Sequence, residues 1–261
     1  MSAAPKKSLG QHFLTDRNIL GAIADAIDTG PDDVVIEVGP GRGALTQILA
    51  ERAGRVIAIE LDDDLAESLR VSMPGIDVRH ADARHVSPVD LLGGCAPYKM
   101  LGNLPYYAAL PIVRGFLESD CRPTHVAILV QLEVARQLCA KPGDMSLSSL
   151  GVQLFGEPRI VRRVPPGAFN PPPKVMSAVV AIDVFDELAG GVTDVQTFFK
   201  IARAGFSAPR KQLRNSLANG LSISAIDAAA MLVAAEVDPM RRAESLSVVE
   251  WAQLSSVAGK A

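Results

Sequence analysis

The sequence predicts an α/β protein: a parallel sheet covered by helices on both faces, an antiparallel pair of strands at the sheet edge, and a small all-helical C-terminal domain. Three observations carry this reading. In the first half, short β-branched runs alternate with segments whose apolar residues recur three and four apart; after Gly156 two strand-like runs follow with no helix-length segment between them; from about Gly190 the apolar spacing is helical throughout. A chain of 261 residues that is 48% hydrophobic can bury a sizeable core, and it divides into an expected domain over 1–189 and a smaller one over 190–261.

The strands of the first domain are expected at "VVIEV", "RVIAIEL", "IDVRH", "YKMLGN" and "HVAILVQ". Between them "ALTQILAERA", "DDLAESLRVS" and "AALPIVRGFLE" have helical periodicity, and Asp16 is placed to cap an earlier helix through "RNILGAIADAID". "PRIVRRV" and "KVMSAVVAIDV" are joined by the proline-rich "PPGAFNPPP", which leaves no room for a crossover helix and favours an antiparallel pair. Paired glycines in "LAGGVTD" mark the domain boundary, because they uncouple the elements on either side. Beyond them "VQTFFKIARAGF", "RKQLRNSLANGL" and "SAIDAAAMLVAAE" read as helices.

Composition excludes several classes. The longest apolar runs are too short to span a bilayer, and "MSAAPKKSLGQHF" lacks the apolar core of a signal peptide, so the expected location is the cytoplasm, away from membranes. Cys95, Cys121 and Cys139 have no paired metal-ligand spacing and are expected to be buried thiols, with neither a disulfide framework nor a bound metal. The net charge is −3, yet the basic residues are segregated. No acid lies between Glu157 and Asp183, a stretch holding Arg159, Arg162, Arg163 and Lys174, and none lies between Asp194 and Asp227, which holds Lys200, Arg203, Arg210, Lys211 and Arg214. Such runs are either solvated faces or phosphate-binding surfaces.

"VVIEVGPGRGALT" sets Gly39, Gly41 and Gly43 between the first long strand and a helix, where positive φ and close backbone approach admit a ligand to the helix N-terminus. Nucleotide, dinucleotide and S-adenosylmethionine sites all use such a turn. The Gly-x-Gly-x-Gly order and the lack of a phosphate-gripping lysine favour a ligand without phosphates. Three carboxylates at successive strand ends sharpen the reading. Glu60, followed by Leu61, can accept both hydroxyls of a ribose; Asp82, followed by Ala83, can accept an adenine amine; Glu37 can order the loop or meet a cationic group of the ligand. Each of these acids alone could equally be a cap or a solvated carboxylate.

"GNLPYY" adds a second function to the same crevice. Pro105 biases Leu104 toward extended backbone and so aims its carbonyl, while the Asn103 side chain supplies another acceptor. Two fixed acceptors can take both hydrogens of a planar amine and localise its lone pair toward an electrophile, with Tyr106 as a stacking face. The alternative is a proline-started helix with Asn103 as its cap.

In "KSLGQHFLTD", "IEVGPGRGALT", "AIELD", "GNLPYY", "FNPPPKVMSAVV" and "RKQLRNSL", taken in this order from Lys7 to about Leu217, the chain resembles the ribosomal RNA adenine dimethyltransferases, above all the bacterial small-subunit type. The resemblance implies a Rossmann-like S-adenosylmethionine methyltransferase fold with a helical RNA-binding C-terminal domain. It also implies dimethylation of two adjacent adenosines near the 3′ end of small-subunit ribosomal RNA, performed by a monomer on an immature ribosomal particle. Carried over residue by residue, Gln11, His12 and Leu14 close over the cofactor, Gly39 and its neighbours face its methionine portion, Glu60 its ribose and Asp82 its adenine. Asn103, the Leu104 carbonyl and Tyr106 hold the target base, with Phe169 on its other face, and Arg162, Arg163, Lys174, Arg210, Lys211 and Arg214 meet the RNA. Pro209 stands where the family usually has another basic residue, and Tyr107 where Asn is also frequent. Three competing readings are a large-subunit adenine methyltransferase that confers macrolide resistance, a non-catalytic assembly or nucleic-acid-binding factor, and a nicotinamide dehydrogenase. The last is disfavoured by the glycine spacing.

Overall fold

The computed structural model describes residues 12–105 and 108–259. Gln11, Tyr106 and Tyr107 lie outside the described residues. In chain order the first elements are β1 (Phe13–Leu14), α1 (Arg17–Asp25), β2 (Val34–Val38), α2 (Ala44–Arg52), β3 (Arg55–Glu60), α3 (Asp63–Ser72), β4 (Asp77–His80) and α4 (Pro88–Leu92). Next come β5 (Lys99–Asn103), α5 (Ala109–Leu117), β6 (His125–Gln131), α6 (Leu132–Leu138), α7 (Leu147–Gln153), β7 (Gly156–Val164), β8 (Phe169–Asn170) and β9 (Ser177–Val184). Four helices follow: α8 (Val195–Gly205), α9 (Leu213–Leu221), α10 (Ala225–Ala234) and α11 (Val248–Ala258).

A seven-stranded sheet has the order β4-β3-β2-β5-β6-β9-β7. β2, β3, β4, β5 and β6 pair in parallel, and β9 runs antiparallel to β6. The interior strands are apolar along their length because they are covered on both faces; in β6, Val126 to Leu129 are fully buried. From β2 the chain adds β3 and β4 on one side, then returns to lay β5 on the other. That reversal opens a crevice at the carboxyl ends of β2 and β5, where ligands of open α/β sheets bind. α1 starts where expected: the Asp16 side chain accepts from the N–H groups of Asn18 and Ile19.

The chain forms two compact units, one of Met1–Arg136 with Pro158–Val184 and one of Gln137–Glu157 with Phe185–Ala261. The second unit thus begins at Phe185 rather than at 190, and also takes in 137–157, which the periodicity had not set apart. Backbone bonds explain the latter: Gly143 and Met145 both donate to the Glu244 carbonyl, at 2.8 and 3.1 Å. Trp251 and Phe198 are fully buried in this unit, and the Phe206 ring stacks on Trp251 at 5.4 Å. α9 begins at Leu213, so Arg210 and Lys211 lie in the turn before it rather than on the helix. No single helix among the described residues is long and apolar enough to cross a membrane.

The expectation of three buried thiols is corrected. Cys95 and Cys121 are joined by a disulfide with Cα atoms 5.5 Å apart, Cys95 is exposed, and Cys139 is half-buried. Their separation of 26 residues, across β5 and α5, hid the pairing, since only the fold brings the two loops together. Closing a loop of that length restricts the unfolded chain by about 3 kcal/mol. Urea unfolding under non-reducing conditions should show Cys95→Ser less stable by about 2–4 kcal/mol, and the difference should vanish in reductant.

Candidate active site

The crevice is built from three strand ends and one strap. After β2, the glycine loop enters α2 with Gly39 at φ +71° and Gly41 at φ +57°. A Cβ on Gly39 would lie 3.0 Å from the Asn103 carbonyl oxygen, and one on Gly41 would lie 3.0 Å from the Phe13 ring. Glycine is needed at both positions, by backbone conformation and by the neighbours' approach. The glycine loop therefore runs close to the end of β5 on one side and to the N-terminal strap on the other.

Glu60, at the end of β3 and 6% exposed, fixes the loop's height. Its Oε2 accepts from the Gly41 N–H at 2.9 Å and its Oε1 from the Asp62 N–H at 2.9 Å. Burial raises its carboxyl above the ordinary value, and those two N–H groups offset part of the rise. A carboxylate has about four lone-pair sites, so the capacity to take ribose hydroxyls remains.

The strap is the part that periodicity missed. β1 and β8 form a two-stranded antiparallel sheet in which Leu14 faces Phe169 and Phe13 faces Asn170. The Thr15 N–H donates to the Ala168 carbonyl at 2.9 Å. His12 Nδ1 lies 2.9 Å from the Pro171 carbonyl oxygen, which can only accept, so Nδ1 carries the proton. The Asn103 Nδ2 donates to the His12 carbonyl at 3.0 Å. That bond sets the amide: its NH₂ is turned to the strap and its Oδ1, with no hydrogen bond among the described residues, is the acceptor left for a ligand. Arg42 lies over the Phe13 ring at 4.4 Å from the centroid, adding a cation–π contact on the loop side.

His12, Phe13, Leu14, Glu37, Gly39, Gly41, Arg42, Glu60, Asn103, Leu104 and Pro105 line one cavity, which unites most of the expected cofactor and base residues. Gly43 stands beside it at the N-terminus of α2, and Leu61 is 40% exposed past the Glu60 strand end. Ala83 is half-buried next to Asp82. Asp82 does not present a bare carboxylate: Arg84 Nε and Nη2 bond both oxygens, at 2.5–3.1 Å, and hold its carboxyl down at about 2. Phe169 differs more. Expected as an open face for a base, its ring is only 4% exposed and belongs to the core cluster of Leu14, Ala168 and Val179, because β1 lies against it. Phe13, Arg42 and the Pro171 carbonyl are the residues that sequence reasoning overlooked, and the "QHFL" stretch holding Phe13 was the signal available for the first.

The basic residues can be placed within each unit. In the first, Arg162 and Arg163 are exposed along the edge strand β7, and Lys174 is exposed in the loop before β9. Arg159 instead pairs with Asp183 at 2.6 Å. In the second, Arg210 and Lys211 are exposed, Arg214 is half-buried with its Nε unpartnered, and none of the three has an acidic partner among the described residues.

A profile of the ribosomal RNA adenine dimethylase family matches residues 3–254. The chain belongs to the ribosomal RNA adenine dimethylase family. Within it, the chain is 47% identical to the ribosomal RNA small subunit methyltransferase A of Dehalococcoides mccartyi, over 95% of this chain and 87% of that protein. It is 40% identical to the protein of the same name from Pelotomaculum thermopropionicum, over 97% and 90%. Among solved structures, the 23S rRNA methyltransferase ErmE superposes with a TM-score of 0.75 at 28% identity over 94% of this chain and 98% of that one. A dimethyladenosine transferase from Plasmodium falciparum, at 22% identity and a TM-score of 0.81 over 95% and 98%, shares the fold. As in this family generally, the expected cofactor is a methyl donor. The glycine cradle that a Cβ would fill, together with a buried Glu37 oxygen lacking a partner, fits a compact cationic ligand.

Gly39→Ala should cost about 1–3 kcal/mol of folding stability, from left-handed strain plus displacement of the Asn103 carbonyl. Gly115→Ala in α5, where a Cβ meets nothing within 4 Å, should be neutral or stabilising by up to about 1 kcal/mol. Equal thermal unfolding midpoints for the two variants would contradict this.

Proposed function

We propose that this protein transfers methyl groups from S-adenosylmethionine to the exocyclic amines of two adjacent adenosines near the 3′ end of small-subunit ribosomal RNA, giving dimethyladenosines during ribosome assembly. The observation that supports the reading most is the close approach of Gly39 to the Asn103 carbonyl, which sets the glycine loop beside the end of β5. The identity to relatives named for the small subunit, 47% against 28% for the 23S enzyme, favours that RNA. The same reading has the protein acting in the cytoplasm, as a monomer on an immature particle. Incubating the protein and labelled S-adenosylmethionine with unmethylated small-subunit and large-subunit RNA tests it. Label should enter dimethyladenosine of the small-subunit RNA, and incorporation only into large-subunit RNA would favour the macrolide-resistance reading.

When bound, the cofactor supplies an electrophilic methyl group. Asn103 Oδ1 and the Leu104 carbonyl accept the two amine hydrogens, and the strap bond to Asn103 Nδ2 keeps that oxygen facing the amine. Leu104 is 2% exposed and Pro105 fixes the backbone after it, so the carbonyl is not free to wander. An amide has no titration near neutrality, so Asn103 orients the amine and stabilises the charge that develops on it, and water takes the proton afterwards. Tyr106 and Phe169 enclose the base in this reading, which requires the Phe169 ring to become accessible when RNA binds. The exposed basic residues of β7 and of the turn before α9 meet phosphates.

Asn103→Ala should slow single-turnover transfer by about 10²–10³ with the fold intact. At saturating cofactor the parent rate should be flat between about pH 6.5 and 9, where a catalytic His or Cys would titrate. A steep profile or parental rates in Asn103→Ala would contradict the role. Replacing Lys211 and Arg214 together with Gln should weaken RNA binding and flatten its salt dependence by up to about two phosphate contacts, leaving cofactor affinity unchanged. An unchanged salt slope would make them solvated charges.

A further inference from the structure

One acid of the cavity has no charge partner among the described residues. Glu37 is 1% exposed, lies at the inner end of the crevice on β2, and its Oε2 makes no hydrogen bond. An ionised carboxylate held this way forfeits hydration without compensation. The described groups around it do not supply a fixed cation. β3 contributes Glu60; α2 contributes the Thr46 hydroxyl, itself buried without a hydrogen bond among the described residues; β5 contributes Leu101 in register, and Asn103 lines the same cavity. The glycine loop contributes Arg42, whose guanidinium lies over the Phe13 ring, and the strap contributes His12; both line the same cavity, and no ion pair reaches Glu37 among the described residues. Burial pushes the Glu37 carboxyl up to about 8; among the described residues the nearby Thr46 hydroxyl makes no hydrogen bond that would hold it down, and the Glu60 charge adds to the rise.

We propose that Glu37 is neutral in the cofactor-free protein and gives up its proton when a cationic methyl donor enters the cavity, so that donor binding and proton release are linked. The inference rests on the reading of S-adenosylmethionine as the cofactor. Charge balances: the neutral carboxyl plus a donor of net charge +1 becomes a carboxylate facing the donor's positive charge, and the proton goes to solvent. Transfer of the methyl group leaves a thioether without sulfonium charge. Where the sulfonium is the centre Glu37 faces, the buried carboxylate then regains a proton, which loosens the product relative to the donor. Glu37 would thus read cofactor charge, a role distinct from the ribose and adenine contacts expected of Glu60 and Asp82.

Isothermal titration of the whole protein with S-adenosylmethionine near pH 7, in two buffers of different ionisation enthalpy, counts the protons released. The parent should release about one proton per donor more than Glu37→Gln, because a group titrating near 8 is about nine-tenths protonated there. Donor affinity should rise close to tenfold per pH unit between about 6 and 7.5 in the parent, and much less in Glu37→Gln. The donor's own amino group titrates alike in both proteins, so the difference isolates Glu37. Equal proton counts in folded parent and variant would overturn the proposal while leaving the cofactor reading intact; absence of any donor binding would overturn both. Should Glu37→Gln fail to fold, infrared difference spectra of the parent decide: the carbonyl stretch of a protonated carboxyl should be present in the free protein and lost on adding donor. Its persistence with donor bound would contradict the proposal.

Discussion

The approach of Gly39 to the Asn103 carbonyl, so close that a Cβ at its left-handed backbone would be strained and crowded, is the constraint on which the rest of the site depends. It follows from the parallel register of β2 with β5, in which Val38 sits beside Gly102, so that the turn leaving β2 and the motif ending β5 emerge together at the topological switch point. The loop proposed to receive the methyl donor and the motif proposed to receive the amine are therefore adjacent by construction. A side chain at position 39 would strain the loop and push against the Asn103 carbonyl. Holding two reactants together in this way can supply about 7–11 kcal/mol toward a bimolecular transfer.

The N-terminal strap ties the two halves of this site to a third element. Through β1 it pairs with Phe169 and Asn170, through the His12 ring it holds the Pro171 carbonyl, and through the His12 carbonyl it orients the Asn103 amide. Phe13 closes the glycine loop at Gly41. One segment thus contacts the cofactor loop, the amine-binding motif and the aromatic expected to sandwich the base. Phe169 is buried under this strap, so in the proposed reading the ring can meet a base only if the strap shifts.

Much of this was legible in the sequence because it rests on local chemistry. Glycines at 39, 41 and 43 demand positive φ, Asp16 caps α1, and the covered strands are continuous apolar runs, so the sheet and its crevice follow from patterning. What was not legible depends on tertiary meetings. β1 and β8 are two residues each, too short for any period, and they exist only because they find one another. The Cys95–Cys121 bond needs β5 and α5 folded back before its partners are near. The placing of 137–157 with the second unit has the same cause, since Gly143 and Met145 bond the Glu244 carbonyl about 100 residues away in sequence. Arg84 on Asp82 shows a further limit, since a neighbour two residues on can occupy a carboxylate that spacing alone marks as open.

The most direct test of the central claim is a structure of the protein with S-adenosylhomocysteine and an adenosine-bearing fragment of small-subunit RNA. The expected result has the exocyclic nitrogen hydrogen-bonded to Asn103 Oδ1 and the Leu104 carbonyl, with the cofactor sulfur against the Gly39 loop and the Asn103 Nδ2 still bonded to the His12 carbonyl. A target base bound away from Asn103, with the cofactor in the cavity and the amide facing solvent, would contradict it.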